Sequence, residues 1–193
     1  MGLELLLMIG VAYGGLHNHP RFYLEGLQSD SRLDIVVNSL DSDSIEQKVA
    51  NIYYFMQANV SYVRDPEGID LIRTPIDTYT NGGDCEDLTL LSIELFRKLN
   101  VNSYFVLSEK HAFALVGPVD ESKLLDILPK GYRYNVTGYY FDDGLYVYFD
   151  AAVRGNGAYP GFVSLDHLGS AVIADVESKE IIRTIGKELE IKK

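Results

Sequence analysis

The sequence predicts an α+β domain in which helices from the first half of the chain pack on an antiparallel β-sheet. Two amphipathic helical segments follow one another before residue 100, and from there to about residue 150 the chain breaks into short β-rich runs joined by turns, with no βαβ alternation. The 193 residues are 47% apolar and include 14 Tyr and 8 Phe, so one core can be built without disulfides or a structural metal.

Residues 5–16 form an uncharged run of 12, short of the about 20 that a membrane span needs. Glu4 stands where a secretory signal carries basic residues, so a buried structural segment is expected, with an anchor or export signal as the alternative. His17 and His19 follow in a loop with no third ligand nearby. Ser44, with Gln47 three residues on, reads as a capping box. Ile45, Val49, Ile52, Met56 and Val60 then make one apolar stripe on a helix of about four turns. From Ser61 to Gly83 no period is sustained and Pro66, Gly68, Pro75, Gly82 and Gly83 intervene, which predicts a long organised loop, a length usually kept for function.

Asp84 is placed as an N-cap, Glu86 and Asp87 suit the first turn, and Leu88, Leu91, Leu95 and Leu99 mark a buried helical face that ends at Asn100. Val101–Ser108 and His111–Val116 predict a hairpin, with His111, Phe113 and Leu115 on one face and Gly117-Pro118 as its end. A short helix over Glu121–Leu128 and strands over Tyr132–Phe141 and Leu145–Asp150, turning at Asp142-Asp143-Gly144, follow. Gly155–Gly161 is a turn region, and the tail from Val163, with His167 as a surface residue, has no assignable elements. One domain is expected, with a core over about 44–152 and flanks 1–43 and 153–193.

A net charge of −11 excludes an unassisted nucleic-acid partner and makes an anionic membrane an unfavourable one; the expected location is the cytoplasm. Cys85 is the sole cysteine, which rules out an internal disulfide or a CxxC motif.

That cysteine opens a helix; His111 opens a strand 26 residues later, and Asp150 ends a strand 39 residues after that. A thiol at a helix N-terminus gains from the dipole, an imidazole can take its proton, and a carboxylate can fix the imidazole tautomer. Asp84, Glu86 and Asp87 oppose this by raising the thiol pKa, so an ion pair between Cys85 and His111 has to outweigh them. The same three acids with His111 could instead hold a metal, but the helix start already accounts for them.

Gly83-Asp84-Cys85-Glu86-Asp87, the Leu-rich helix, His111-Ala112-Phe113 and Tyr148-Phe149-Asp150 together resemble the transglutaminase-like superfamily, in particular its microbial, papain-like cysteine peptidase members. The resemblance covers roughly Ser44 to Ala152. It implies a papain-like core with Cys85 as nucleophile, His111 as general base and then acid, and Asp150 as orienting carboxylate. The long interval from His111 to Asp150 implies an insertion around Asp120–Gly131 and leaves Asp142 or Asp143 as fallback partners. With no Trp available, Tyr62 or Asn59 is the second oxyanion donor beside the Cys85 backbone N–H. The implied chemistry is acyl transfer on a peptide-like amide through a thioester, most simply hydrolysis of a protein or peptide substrate without a cofactor. A transglutaminase with an amine acceptor and a non-catalytic interaction domain are the alternatives.

Overall fold

The computed structural model describes residues 19–130, 134–155, 158–162 and 170–185. Helices α1 (Pro20–Leu24), α2 (Asp34–Leu40), α3 (Ile45–Asn59), α4 (Pro75–Asn81) and α5 (Cys85–Lys98) come first. Strands β1 (Asn102–Ser108) and β2 (Ala112–Val119), helix α6 (Glu121–Ile127), and strands β3 (Gly138–Phe141), β4 (Gly144–Phe149), β5 (Ala171–Asp175) and β6 (Ile181–Ile185) follow. All strand pairs are antiparallel, in the order β3-β4-β2-β1-β5-β6. The fold is the predicted α+β arrangement of helices on an antiparallel sheet.

The α3 start follows its cap. Ser44 Oγ accepts the Gln47 N–H at 3.1 Å, while the Gln47 side chain turns forward to Asn51 instead of closing the capping box. Val49, Ile52 and Met56 are fully buried against the sheet and α5. Helix α5 is the centre of the molecule: every residue from Glu86 to Phe96 is buried. It ends in a Schellman motif, in which Val101 N donates to Phe96 O, Asn100 N donates to Arg97 O, and Asn100 takes φ 55°.

Side chains alternate across the sheet. Ala112, Ala114, Val116, Val147 and Phe149 face the helices, whereas Phe113, Leu115, Tyr146 and Tyr148 build a second apolar cluster on the other face. The sheet is strongly curled, as expected from strand twist. Tyr104 of β1 stacks on Phe141 of β3 at 4.7 Å across two intervening strands, and Arg183 of edge strand β6 lies 5.5 Å from the ring centre of Tyr139 on the opposite edge.

Several local expectations are corrected. The 61–83 segment is not all loop, because Thr74 caps α4 by accepting the Asp77 N–H, with Pro75 at the first helical position. Strand β2 does not stop at Gly117-Pro118. It continues to Val119 through a register shift after Val116, where a residue without an N–H costs no ladder bond. Strand β3 begins at Gly138 and not at Tyr132, and residues 132 and 133 of the expected start lie outside the described residues. The tail forms the β5–β6 hairpin, which adds to β1. His19 is the α1 N-cap, its Nδ1 accepting the Arg21 N–H at 3.2 Å. Residues 5–16, His17 and His167 lie outside the described residues. Among the described residues no helix is long and apolar enough to cross a membrane.

Candidate active site

Cys85 sits at the first position of α5, held there by the backbone before it. Residues 61–63 form a one-residue parallel bridge to Gly83: Gly83 N donates to Ser61 O at 3.2 Å, and Val63 N donates to Gly83 O at 2.8 Å. Gly82 has φ 78°, and a Cβ on it would come within 2.6 Å of Ser61 O. A Cβ on Gly83 would overlap the Asp87 side chain, so both glycines are required for this close approach.

The thiol is half-buried, its Sγ donates to Glu86 Oε2 at 3.1 Å, and it accepts the Ala112 N–H. It therefore lies against the first residue of β2, next to His111. Burial pushes the thiol pKa well above its ordinary value, and the Glu86 carboxylate adds to the effect. Burial likewise raises Glu86 and Asp84, which share a hydrogen bond. Burial first and Glu86 second thus favour the protonated thiol at rest.

His111 and Asp150 are both buried, at 8% and 4% exposure, and His111 Nε2 meets Asp150 Oδ2 at 2.7 Å. The β2–β4 register explains this: Ala114 pairs with Phe149, so the next step brings Asp150 opposite Phe113, two residues from His111 on the same face. The ends are pinned. Ser108 N and Oγ both donate to His111 O, while Asp150 Oδ1 accepts the N–H groups of Ala152 and Val153. The imidazole ring stacks on Phe113 at 6.1 Å.

Asp142 is exposed and Asp143 accepts the Tyr146 hydroxyl at 2.9 Å, so Asp150 is the carboxylate facing His111. Asn59 Nδ2 is spent on Phe55 O in its own helix, whereas the Tyr62 hydroxyl is raised by burial and then by the nearby Cys85 and Asp84. Asp84 occupies the N-cap but makes no capping bond, contrary to expectation; its Oδ1 is buried and unbonded. The four residues of the metal alternative do not converge: Asp87 turns to Arg73 and His111 to Asp150.

Three contributors were not legible beforehand. Arg73 reaches from the loop to bind Asp65 at 2.8 Å and the fully buried Asp87, joining the loop to the first turn of α5. Gln57 Nε2 donates to Ala151 O and Val153 O. Arg154 donates to Met56 O, Gln57 O and Val60 O at 2.7–3.0 Å, tying the segment after Asp150 to the α3 C-terminus and the start of the Tyr62 loop. These partners lie 94–98 residues away, and no local pattern encodes them.

No family model matches the chain, and no curated protein matches it. Among solved structures, a protein of Cytophaga hutchinsonii described as a candidate cysteine protease aligns with 80% of this chain at 18% identity and a TM-score of 0.40. The alignment covers 51% of that protein, so this chain spans about half its length.

Proposed function

We propose that the protein is a cysteine-dependent acyl-transfer enzyme of the transglutaminase-like, papain-like kind, hydrolysing a peptide-like amide. The observation that supports this best is the 2.7 Å contact of His111 Nε2 with Asp150, beside a helix-opening thiol that accepts the Ala112 N–H. His111 engages Asp150 through Nε2, so Nδ1 is the atom that exchanges protons with Cys85. Asp150 fixes that tautomer and steadies the imidazolium.

In this reading His111 removes the Sγ proton, and the thiolate attacks the amide carbon. The resulting oxyanion is met by the Cys85 N–H, which has no intrahelical partner at the first helical position, and by the Tyr62 hydroxyl. The C–N bond breaks, His111 returns its proton to the leaving amine, and a thioester remains on Cys85. Water then attacks the thioester and releases the acid and the thiol. Because the resting thiol is protonated and buried beside Glu86, the ion pair forms as substrate displaces that contact, not before.

The test is iodoacetamide alkylation of Cys85 across pH, for the wild type and His111→Ala, followed by peptide-pool turnover with and without a lysine-like amine. The expected result is His111-dependent alkylation below the ordinary thiol range of about 8.5 once a peptide occupies the site, with free acid as product. An unchanged profile in His111→Ala, or no Cys85-dependent product, would overturn the proposal. An amine adduct would reassign the acceptor.

A further inference from the structure

Tyr53 and Tyr148 are each 1% exposed, and among the described residues neither hydroxyl meets a hydrogen-bond partner. Nearly all buried hydroxyls are paired, so each such group calls for a physical account. The two lie on opposite faces of the sheet. Tyr148 packs in the apolar cluster on the face away from the helices, its ring centre 5.1 Å from that of Phe113. Tyr53 projects from α3 onto the helix-covered face, where its ring meets Phe149 edge-on at 5.4 Å, one residue before Asp150.

The contact continues along the chain. Gln57, one turn after Tyr53 on the same helical face, donates to Ala151 O at 3.3 Å and to Val153 O at 3.0 Å. Arg154 donates back to Met56 O and Gln57 O, both at 3.0 Å. Asp150 thus lies at the junction of β4 and the strip that α3 fastens. Burial raises the Tyr53 hydroxyl pKa most and the Asp150 charge raises it next; Tyr54 and Tyr159 add to this, and Arg154 opposes it. The hydroxyl therefore stays protonated and remains a donor. Asp150 is 4% exposed, and each carboxylate oxygen accepts more than one hydrogen bond. A donor and a buried carboxylate that are neighbours but not bonded directly are the arrangement that one water bridges.

Resting on the proposed function, we infer that Tyr53 is a positioning residue, its hydroxyl donating through one buried water to the Asp150 carboxylate and holding it toward His111 Nε2. Asp150 is then steadied from the α3 side, in addition to the Ala152 and Val153 N–H groups on Oδ1 and the imidazole on Oδ2.

The test is a double-mutant cycle of Tyr53→Phe and Asp150→Asn on the full chain, with Tyr148→Phe as control. Urea unfolding reads the contact without any turnover. An orphaned hydroxyl predicts that its removal leaves stability unchanged or improves it, which is the result expected of Tyr148→Phe. Tyr53→Phe should instead raise the unfolding equilibrium constant about tenfold, and by less than about twofold in the Asp150→Asn background. A Tyr53→Phe variant as stable as the wild type, or one with the same loss in both backgrounds, overturns the inference. With a peptide amide as substrate, kcat should fall about tenfold at unchanged KM for Tyr53→Phe, and hardly at all in the Asp150→Asn background. Equal falls in the two backgrounds, or a rise in KM alone, would overturn the positioning role. A wild type with no Cys85-dependent turnover refutes the proposed chemistry, and the urea cycle still decides whether Tyr53 supports Asp150.

Discussion

Replacing Arg73 with Met tests the link between the loop and the nucleophile helix. Its guanidinium contacts Asp65 at 2.8 Å and the Asp87 carboxylate, and Arg73 N donates to Asp87 Oδ1 at 2.8 Å. At an effective dielectric of 20 a 2.8 Å ion pair is worth about 6 kcal/mol before desolvation, and breaking a buried pair from one side costs about 3–5 kcal/mol net. Asp87 has no exposure, and burial lifts its pKa to about 6 even with Arg73 present. A carboxyl with a folded pKa above its unfolded value loses stability as pH rises through the folded pKa. Without Arg73 that pKa climbs further, so the variant holds a proton that the wild type has released and falls behind by up to about 1.4 kcal/mol per pH unit. The expected loss is about 3–5 kcal/mol near pH 8, and under about 2 kcal/mol near pH 5, where both proteins carry a neutral Asp87. Urea unfolding reads this as a midpoint drop of roughly 1.5–2.5 M at the higher pH, assuming a slope near 2 kcal/mol/M. Adding Asp87→Asn should recover most of the loss at the higher pH. Equal losses at the two pH values would refute the argument that Asp87 carries the cost.

Asp150→Asn keeps the shape but presents the wrong hydrogen-bonding partner to His111 Nε2, so turnover should fall by about 10³–10⁴-fold with little change in melting temperature. A turnover within tenfold of wild type would remove Asp150 from the mechanism. Leu91→Ala, at a fully buried position of α5, should cost about 2–5 kcal/mol in denaturant titrations. Arg154→Met should leave three carbonyls at the α3 C-terminus unsatisfied and lower both stability and alkylation of Cys85, whereas Arg154→Lys restores one bond and part of each. Glu86→Gln removes a carboxylate 3.1 Å from the thiol, so the alkylation midpoint should move to lower pH; a midpoint that stays or rises would show that burial alone holds the thiol protonated.

What could be read ahead of the structure divides along sequence distance. Helix α5 was legible because its periodicity, acidic first turn and Asn100 stop are all local, and the same holds for α3 behind Ser44. Helix α4 was missed despite a local signal, Thr74-Pro75 with Asp77, because seven residues are too few for a period to stand out. Gly117-Pro118 reads as a terminator in isolation, but β4 pairs on past it to Val119. The β5–β6 hairpin depends on β1 for its place in the sheet, which no property of the tail announces. Within the site, residue type singled out Cys85, His111 and Asp150, while the choice of Asp150 over Asp142 and Asp143 needed the β2–β4 register. The exchange of Asp84 from cap to Glu86 partner could not be read, because it depends on how deeply the α5 start is buried.

The burial of that helix start bears on why a nucleophile would sit among acids at all. Asp84, Glu86 and Asp87 lie where the helix dipole favours negative charge, which stabilises α5 but works against a thiolate in the same turn. The structure separates the three. Arg73 pairs with Asp87, burial shifts Asp84 and Glu86 toward their neutral forms, and burial with Glu86 second raises the Cys85 thiol. A site in this state carries little reactive thiolate in water. An ionised Glu86 in place raises the thiol further, so Glu86 has to swing away from Sγ before the thiol can ionise. That movement frees Sγ to hand its proton to His111, whose imidazolium Asp150 is already placed to hold at 2.7 Å. In the proposed mechanism the Glu86 contact thus holds the thiol protonated at rest, and its release precedes proton transfer to His111.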